Sequence, residues 1–436
     1  MKFLLVQSTL YMLKKGGANK ANQSLIEGLS KAGHRCVSFA PVAVTDKEMF
    51  YQFLQQKQLK ENLDFHFINK DICVFRLNGV EIYAVLNIRE ARSYLKALIK
   101  DFEPSWILVS SEDPTQALLE TALEACPFRV VTIIHTILAL PFGPHCAVEN
   151  PKGLELFRQS AGVICVSEYT RNYCKTWGKF EPDVLHFPVY GQGPFMDYSN
   201  FSAGFVMMVN PSAIKGISIF LELAKMCPAV SFAAVPLWAT TQSDLDKMRT
   251  LPNIHILQPV DDMDELYSKT KVLLMPSLCI ETFGQIVIEA MLRGIPVIAS
   301  NAGGLPEAKL GIPYTLPVNP IQQYQEMLDD KLLPIPIVPE QDIKLWENAL
   351  YELVNYQSSY KKIADTSRKA AVNYVNNLDI NAFEEYFNRL QLLKKTYMLE
   401  QPFQLNTIGF TGKNKKKPDG LSKEKLTLLA MRLKER

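Results

Sequence analysis

The chain has 436 residues, 47% hydrophobic and 21% charged, with 47 Lys and Arg against 45 Asp and Glu. That length exceeds one ordinary core and predicts two domains with additions, in the composition range of a soluble globular enzyme. The net charge of +2 is unevenly spread: the segment from Thr411 onward is strongly basic, which leaves the preceding body mildly acidic and argues against a nucleic-acid-binding core.

No apolar run approaches the 18 residues of a membrane span. The opening Met1-Lys-Phe-Leu-Leu-Val-Gln-Ser is a first strand, too short in its apolar part for a signal-peptide core. Eight scattered cysteines without a C-x-x-C pair read as reduced core residues of a cytoplasmic protein, with neither a disulfide framework nor a zinc site.

In chain order, a strand at Lys2–Gln7 leads through a polar loop to a glycine turn at Gly16-Gly17. A helix over 21–32 and a strand over 35–40 complete a βαβ unit. Asn78-Gly79 joins two alternating runs within 71–86, the signature of a tight hairpin. Helix 89–102, strand 105–110, helix 115–125 and strands 129–134, 163–167 and 183–187 follow. The Pro- and Gly-rich stretch Phe187–Phe195 reads as a linker. A second alternating series then runs from the strand at Gly204–Val209 to the strand at Lys271–Met275, and helices 340–355, 359–374 and 379–395 close the globular part. Two doubly wound α/β domains in series are expected, with ligands at the carboxyl ends of their strands.

The most informative stretch is Glu281-Thr-Phe-Gly-Gln-Ile-Val-Ile-Glu289, followed by Ala290-Met-Leu-Arg-Gly-Ile-Pro-Val-Ile-Ala-Ser300. Phe283 and Gly284 open an apolar helix that ends at Arg293-Gly294, with a buried strand after it. The free N–H groups of such a helix start suit a phosphate, and carboxylates suit sugar hydroxyls. Were both helical, Glu281 and Glu289 would stand about 80° apart around the axis. A purely structural alternative makes Glu281 a helix-start carboxylate and Glu289 a solvated helix residue.

This segment resembles the paired-glutamate signature of retaining GT-B glycosyltransferases, in particular the family 4 group, with Gly303-Gly304-Leu305-Pro306-Glu307 downstream. The resemblance implies a GT-B fold: two Rossmann-like domains facing each other across a cleft. The N-terminal acceptor-side domain would span 1–190 with a returning helix at 379–398, the nucleotide-sugar domain 191–378, and a basic tail 399–436. Carried over, Glu289 binds the ribose of the nucleotide and Glu281 the transferred sugar. His135, at the end of a first-domain strand, also contacts the sugar. Gly16 and Gly17 bring backbone amides to the donor diphosphate. Lys215 neutralises that diphosphate together with the Phe283 and Gly284 amides. Family members place an arginine a few residues before that lysine; here the strand end reads Val209-Asn210-Pro-Ser-Ala-Ile-Lys215, and Asn210 or Ser212 offers a hydrogen bond without a charge.

The catalytic candidates are therefore Glu281, His135 and Lys215. Gly16, Gly17, Asn210, Phe283, Gly284 and Glu289 join Lys215 in binding the donor. Asp262-Met-Asp264 spells a D-x-D pattern, but opening a short helix explains it, and no metal or cofactor is expected. The co-substrate would be a nucleoside diphosphate sugar, a UDP-sugar by preference. In the tail, Leu426, Leu429 and Leu433 have helical spacing behind a Ser422 cap. The stretch from Leu421 is similar to a short segment preceding condensation domains of nonribosomal peptide synthetases. It implies docking to a carrier-bound intermediate, with peripheral membrane contact as another reading. An epimerase or inverting transferase on the same fold, or a non-catalytic partner-binding subunit, remains the alternative.

Overall fold

The structure is a computed structural model that describes residues 1–13, 16–329 and 334–400, with side chains described except at 13 and 394–400. Residues 401–436, which carry the basic segment and the amphipathic helix expected around Leu426, Leu429 and Leu433, lie outside the described residues. The backbone packs as two units: Met1–Ile133, Glu155–Val163 and the chain from Ile380 form the first, and Ile134–Leu154 with Ile164–Asp379 the second. Residues 164–190, placed by the sequence in the N-terminal domain, pack with the second unit.

In chain order the first half contains β1 (Lys2–Val6), α1 (Gly16–Lys31), β2 (Arg35–Pro41), α2 (Lys47–Glu61), β3 (Phe65–Asn69), β4 (Ile72–Leu77) and β5 (Val80–Val85). It continues with α3 (Ala91–Phe102), β6 (Trp106–Ser110), α4 (Ala117–Ala125), β7 (Val130–Ile134), α5 (Pro151–Gln159), β8 (Gly162–Cys165), α6 (Glu168–Tyr173) and β9 (Asp183–Val184). The sheet order is β3-β4-β5-β2-β1-β6-β7-β8-β9. Phe3, Leu4, Leu5 and Val6 are fully buried, which is why β1 reads as an unbroken apolar run and not as an alternating one. Asn78 and Gly79 both take positive φ, 50° and 82°, and close the β4–β5 hairpin with Leu77 opposite Val80.

The polar stretch before β4 holds a helix, α2, and an antiparallel edge strand, β3. The Gly16-Gly17 pair does not make a turn ahead of the helix: α1 begins at Gly16 itself, whose φ of +85° only glycine adopts without strain.

The second half contains β10 (Phe205–Val209), α7 (Ile217–Met226), β11 (Phe232–Val235), α8 (Gln242–Arg249), β12 (Ile254–Ile256), α9 (Asp264–Tyr267) and β13 (Thr270–Met275). It goes on with α10 (Gln285–Leu292), β14 (Val297–Ser300), α11 (Leu305–Ala308), β15 (Thr315–Leu316) and a small hairpin, β16 (Tyr324–Leu328) and β17 (Pro334–Pro336). Three helices end the described chain: α12 (Ile343–Asn355), α13 (Gln357–Asn376) and α14 (Asn381–Glu400). The second sheet runs β12-β11-β10-β13-β14-β15, all parallel. Its core is built from α7, β10, β13 and α12, around the fully buried Trp346.

Helix α14 packs within the first unit. Phe387 meets Phe3 at a ring separation of 4.9 Å and Trp106 at 6.0 Å, and Glu384 Oε1 lies 2.7 Å from His34 Nε2.

Candidate active site

The second sheet reverses direction at β10: β11 lies on one side and β13 on the other, so the carboxyl ends of β10 and β13 flank the crevice where open α/β sheets bind ligands. Lys215 follows β10 and Glu281 follows β13. The Lys215 ammonium donates directly to Glu281 Oε1, with both side chains largely buried. Ser277 Oγ donates to the same carboxylate oxygen at 2.6 Å.

Two glycines make this meeting possible. Lys215 closes a single 3-10 turn, Ala213–Lys215, and Gly216 (φ +82°) separates it from α7. A Cβ on Gly216 would stand 1.9 Å from the Pro276 carbonyl oxygen, so only glycine lets this turn lie against the end of β13. Leu278 and Cys279 N–H both donate to the Ile214 carbonyl at 3.0 Å, tying the two loops together. On the far side Gly303 (φ +67°) bridges to Glu281, and a Cβ there would meet the Glu281 oxygen at 2.1 Å. Glu281 is thus held by backbone from both directions, on a loop ahead of α10 rather than on the helix.

Burial by itself would lower the Lys215 pKa; the adjoining Cys279 and Glu281 reverse this and hold it above the ordinary lysine value. Burial pushes the Cys279 thiol up to about 11. The site therefore carries a fixed cation against a hydrogen-bonded carboxylate.

Gly284 (φ +102°) caps α10, and a Cβ on it would strike Leu305 Cδ2 at 2.5 Å. Phe283 is buried against Tyr374 and His186, with ring separations of 6.1 and 5.5 Å. Glu289, about one turn into α10 and not on a solvated face, is 9% exposed, and its Oε2 accepts from Tyr267 Oη at 2.6 Å. Burial first and Glu289 second drive the Tyr267 pKa well up, so the phenol remains a donor. Arg293 lies over the Tyr267 ring at 5.1 Å and bonds Asp264 Oδ1 through Nε at 2.6 Å. Half of the D-x-D pattern is thereby paired with an arginine.

His135 ends β7 with 8% exposure, and burial lowers its imidazole pKa to about 3, so the ring is neutral. Its backbone carbonyl accepts from Thr282 Oγ1 at 2.8 Å, which brings it beside the Glu281 segment. Asn210 takes φ +60°, and its amide oxygen accepts from Ala239 N–H at 3.1 Å, shaping the loop after β11. Ser212 Oγ is buried and has no hydrogen-bond partner among the described residues. Gly16 and Gly17 belong to the first unit, where a Cβ on Gly16 would meet nothing within 4 Å among the described residues.

Three participants escaped sequence reasoning. Ser277 and Tyr267 sit in segments read only as strand end and helix, with no local signal of their contacts. Glu307 was visible in its glycine turn, but not its partner: Oε2 accepts from Glu168 N–H at 2.9 Å.

Residues 201–327 match the family model described as Glycosyl transferases group 1. The sulfoquinovosyl transferase SQD2 of Arabidopsis thaliana is 45% identical over 47 residues, 11% of this chain and 9% of that protein. The chain spans 38% and 9% of the length of the first two curated relatives it matches. Among solved structures, sucrose-phosphate synthase from Thermosynechococcus elongatus superposes with a TM-score of 0.62 at 15% identity, over 92% of this chain and 100% of that one. Anabaena HepE, solved in complex with UDP-glucose, gives 0.61 at 16% identity, over 89% and 98%. The fold is GT-B.

Proposed function

We propose that the chain is a glycosyltransferase that moves a sugar from a nucleoside diphosphate sugar, a UDP-sugar by preference, to an acceptor hydroxyl. The observation that carries this reading is the Lys215–Glu281 pair at the sheet's reversal point, inside the segment that matches the group 1 family. The UDP-glucose complex of HepE supports the donor class.

In this reading the bond between the sugar C1 and the β-phosphate oxygen breaks and the diphosphate leaves with the electron pair. A new bond forms between C1 and the acceptor oxygen, whose proton passes to the leaving phosphate. Lys215 and the amides at the start of α10 stabilise the charge that develops on the diphosphate. Glu281, fixed by Ser277, receives the sugar hydroxyls, and Glu289 the ribose. Neutral His135 donates or accepts a hydrogen bond without adding charge. Retention of anomeric configuration without a metal completes the proposal. No cofactor beyond the nucleotide-sugar co-substrate is required.

Asn210 at the end of β10, its oxygen engaged by Ala239, favours a second reading: a partner-binding GT-B subunit without turnover. Thermal unfolding with UDP, GDP and ADP, with and without EDTA, separates the two. A nucleotide at about 100 times its Kd adds roughly 2.7 kcal/mol, a shift of a few degrees. Stabilisation of wild type but not of Glu289→Ala, unchanged by EDTA, supports the transferase; no shift with any nucleotide supports the subunit. NMR of the product anomer separates retention from inversion or epimerisation. Deleting 411–436 tests docking of a carrier-bound acceptor, since loss confined to that acceptor is the expected result.

A further inference from the structure

The edge of a sheet presents unpaired backbone, and natural proteins blunt it with very short strands, charged side chains or proline. Among the described residues the two large sheets have four edge strands, and three of them are blunted by length: β9 and β15 have two residues each and β12 has three. The fourth, β3, is not. It runs for five residues, Phe65-His-Phe-Ile-Asn69, without Lys, Glu or Pro, and only β4 adjoins it in the sheet. His66 and Asn69 are exposed, and Phe67 and Ile68 stand 45% and 55% exposed. Its one guarding feature is a bulge at Ile68 in the pairing with β4.

Such an edge accepts a further strand, with the flanking side chains selecting which. Asp64 lies three residues before the central Phe67, and Lys70 three residues after it. Two copies paired antiparallel about a two-fold axis at Phe67 bring Asp64 of each level with Lys70 of the other, so a single axis creates two opposite-charge pairs. Phe67 meets its own copy at the axis, and His66 faces Ile68. Asp64 and Lys70 are both exposed, and neither makes an ion pair among the described residues. The bulge offsets Lys70 by at most one residue, a gap that its long flexible stem spans. Asp71, next in sequence, turns back into the hairpin: its Oδ2 accepts from Tyr94 Oη at 3.3 Å, and its N–H donates to Asn69 Oδ1 at 2.8 Å. A foreign strand would have to carry acid and base at this same spacing. A second copy of the chain already does.

We propose that the protein forms a homodimer through β3, the two copies of the strand pairing antiparallel across a two-fold axis at Phe67. A single strand pair is a small interface, so the dimer is weak and concentration-dependent. This inference is independent of the transferase reading.

The test is sedimentation velocity of the full chain from low micromolar to several hundred micromolar, on wild type, Phe67→Lys, Asp64→Lys and Lys70→Asp. Wild type is expected to pass reversibly from monomer to dimer. Phe67→Lys sets two like charges face to face at the axis and should stay monomeric throughout. Each of the other substitutions makes both charge pairs repulsive and should weaken dimerisation about tenfold or more. An equimolar mixture of Asp64→Lys and Lys70→Asp should dimerise as wild type does, because each supplies the charge that the other lacks. That recovery also shows that both variants are folded. The proposal is overturned if wild type is monomeric at every concentration, if Phe67→Lys dimerises as wild type does, or if the mixture associates no more tightly than its components. Hydrogen exchange at residues 65–69 gives the last check. Exchange that slows in wild type as the concentration rises supports pairing at β3. Full protection already present in the dilute monomer would mean that another segment of the same chain covers the edge, and would remove the proposal.

Discussion

Lys215 and Glu281, 66 residues apart in the chain, share one hydrogen bond at the reversal point of the second sheet, and Ser277 secures the same carboxylate oxygen from 2.6 Å. The pair is preorganised: Gly216 and Gly303 let backbone crowd it from either side, so neither charge must reorganise when substrate arrives. Removing one partner leaves the other charge buried and uncompensated. Lys215→Met is therefore expected to cost about 2–4 kcal/mol of stability, with Glu281→Leu similar and the double variant recovering much of the loss. Activity behaves differently, falling by about 10²-fold or more in all three. Urea unfolding and donor turnover, measured on the four proteins, check both halves. Additive stability losses in the double variant would show that the two charges do not compensate each other.

Much of this frame was legible in the chain. The apolar runs at Phe3–Val6 and Val206–Met208 read as strands because both faces are buried, and the Asn78-Gly79 hairpin followed from two positive φ angles. The local unit from Thr270 to Ser300 was readable because strand, glycine cap and helix each carry their own signal. What stayed hidden is long-range or polar. Helix α2 has a mixed surface, with only Phe50 and Leu54 buried, so no stripe announces it. The Tyr267–Glu289 bond and the Gln7–Asn22–Ser110 network join residues 22 and 15 or 88 positions apart, and no local pattern encodes such contacts. Asn210 was read for its amide as a ligand, and its positive φ and its bond to Ala239, neither encoded locally, add a role in forming the loop.

The Tyr267 hydroxyl separates two roles of Glu289. Tyr267→Phe removes the 2.6 Å bond while leaving the ring beneath Arg293. A buried carboxylate deprived of one donor predicts a loss of about 1–3 kcal/mol in stability. If Glu289 also holds the ribose, the freed carboxylate becomes less well aimed. The donor KM should then rise several-fold with kcat little changed, the signature of lost uniform binding. A fall in kcat at constant KM would contradict the ribose role.

Glycine substitutions discriminate close approach from mere turn geometry. Gly16 and Gly216 both take positive φ, 85° and 82°, but among the described residues a Cβ at Gly16 meets nothing within 4 Å, whereas at Gly216 it meets the Pro276 oxygen at 1.9 Å. Gly16→Ala is expected to cost about 1 kcal/mol, the conformational term alone. Gly216→Ala must also displace the turn that carries Lys215, so its cost should reach about 3 kcal/mol or more and be accompanied by loss of nucleotide response. Equal costs at the two positions would mean that the turn is free to move away from β13.

Two buried groups give the acid limb of stability opposite slopes. The His135 pKa falls from 6.5 to about 3 on folding, so between these values the unfolded chain binds the extra proton. Its contribution is fully present above pH 6.5 and is lost as the pH falls through that window, by roughly 3 kcal/mol at pH 4. Glu112 rises from 4.5 to about 7, so here the folded chain holds the extra proton. Its contribution is fully present below pH 4.5 and is lost as the pH rises through 7, again by roughly 3 kcal/mol. Between about pH 4.5 and 6.5 the two slopes nearly cancel. Single substitutions uncover them: His135→Gln should make stability fall with rising pH across this range, and Glu112→Gln should make it rise. Urea midpoints for the three proteins at half-unit pH steps provide the measurement. If both variants follow the wild-type profile, neither group changes protonation on folding, and the neutral imidazole assigned to His135 is wrong.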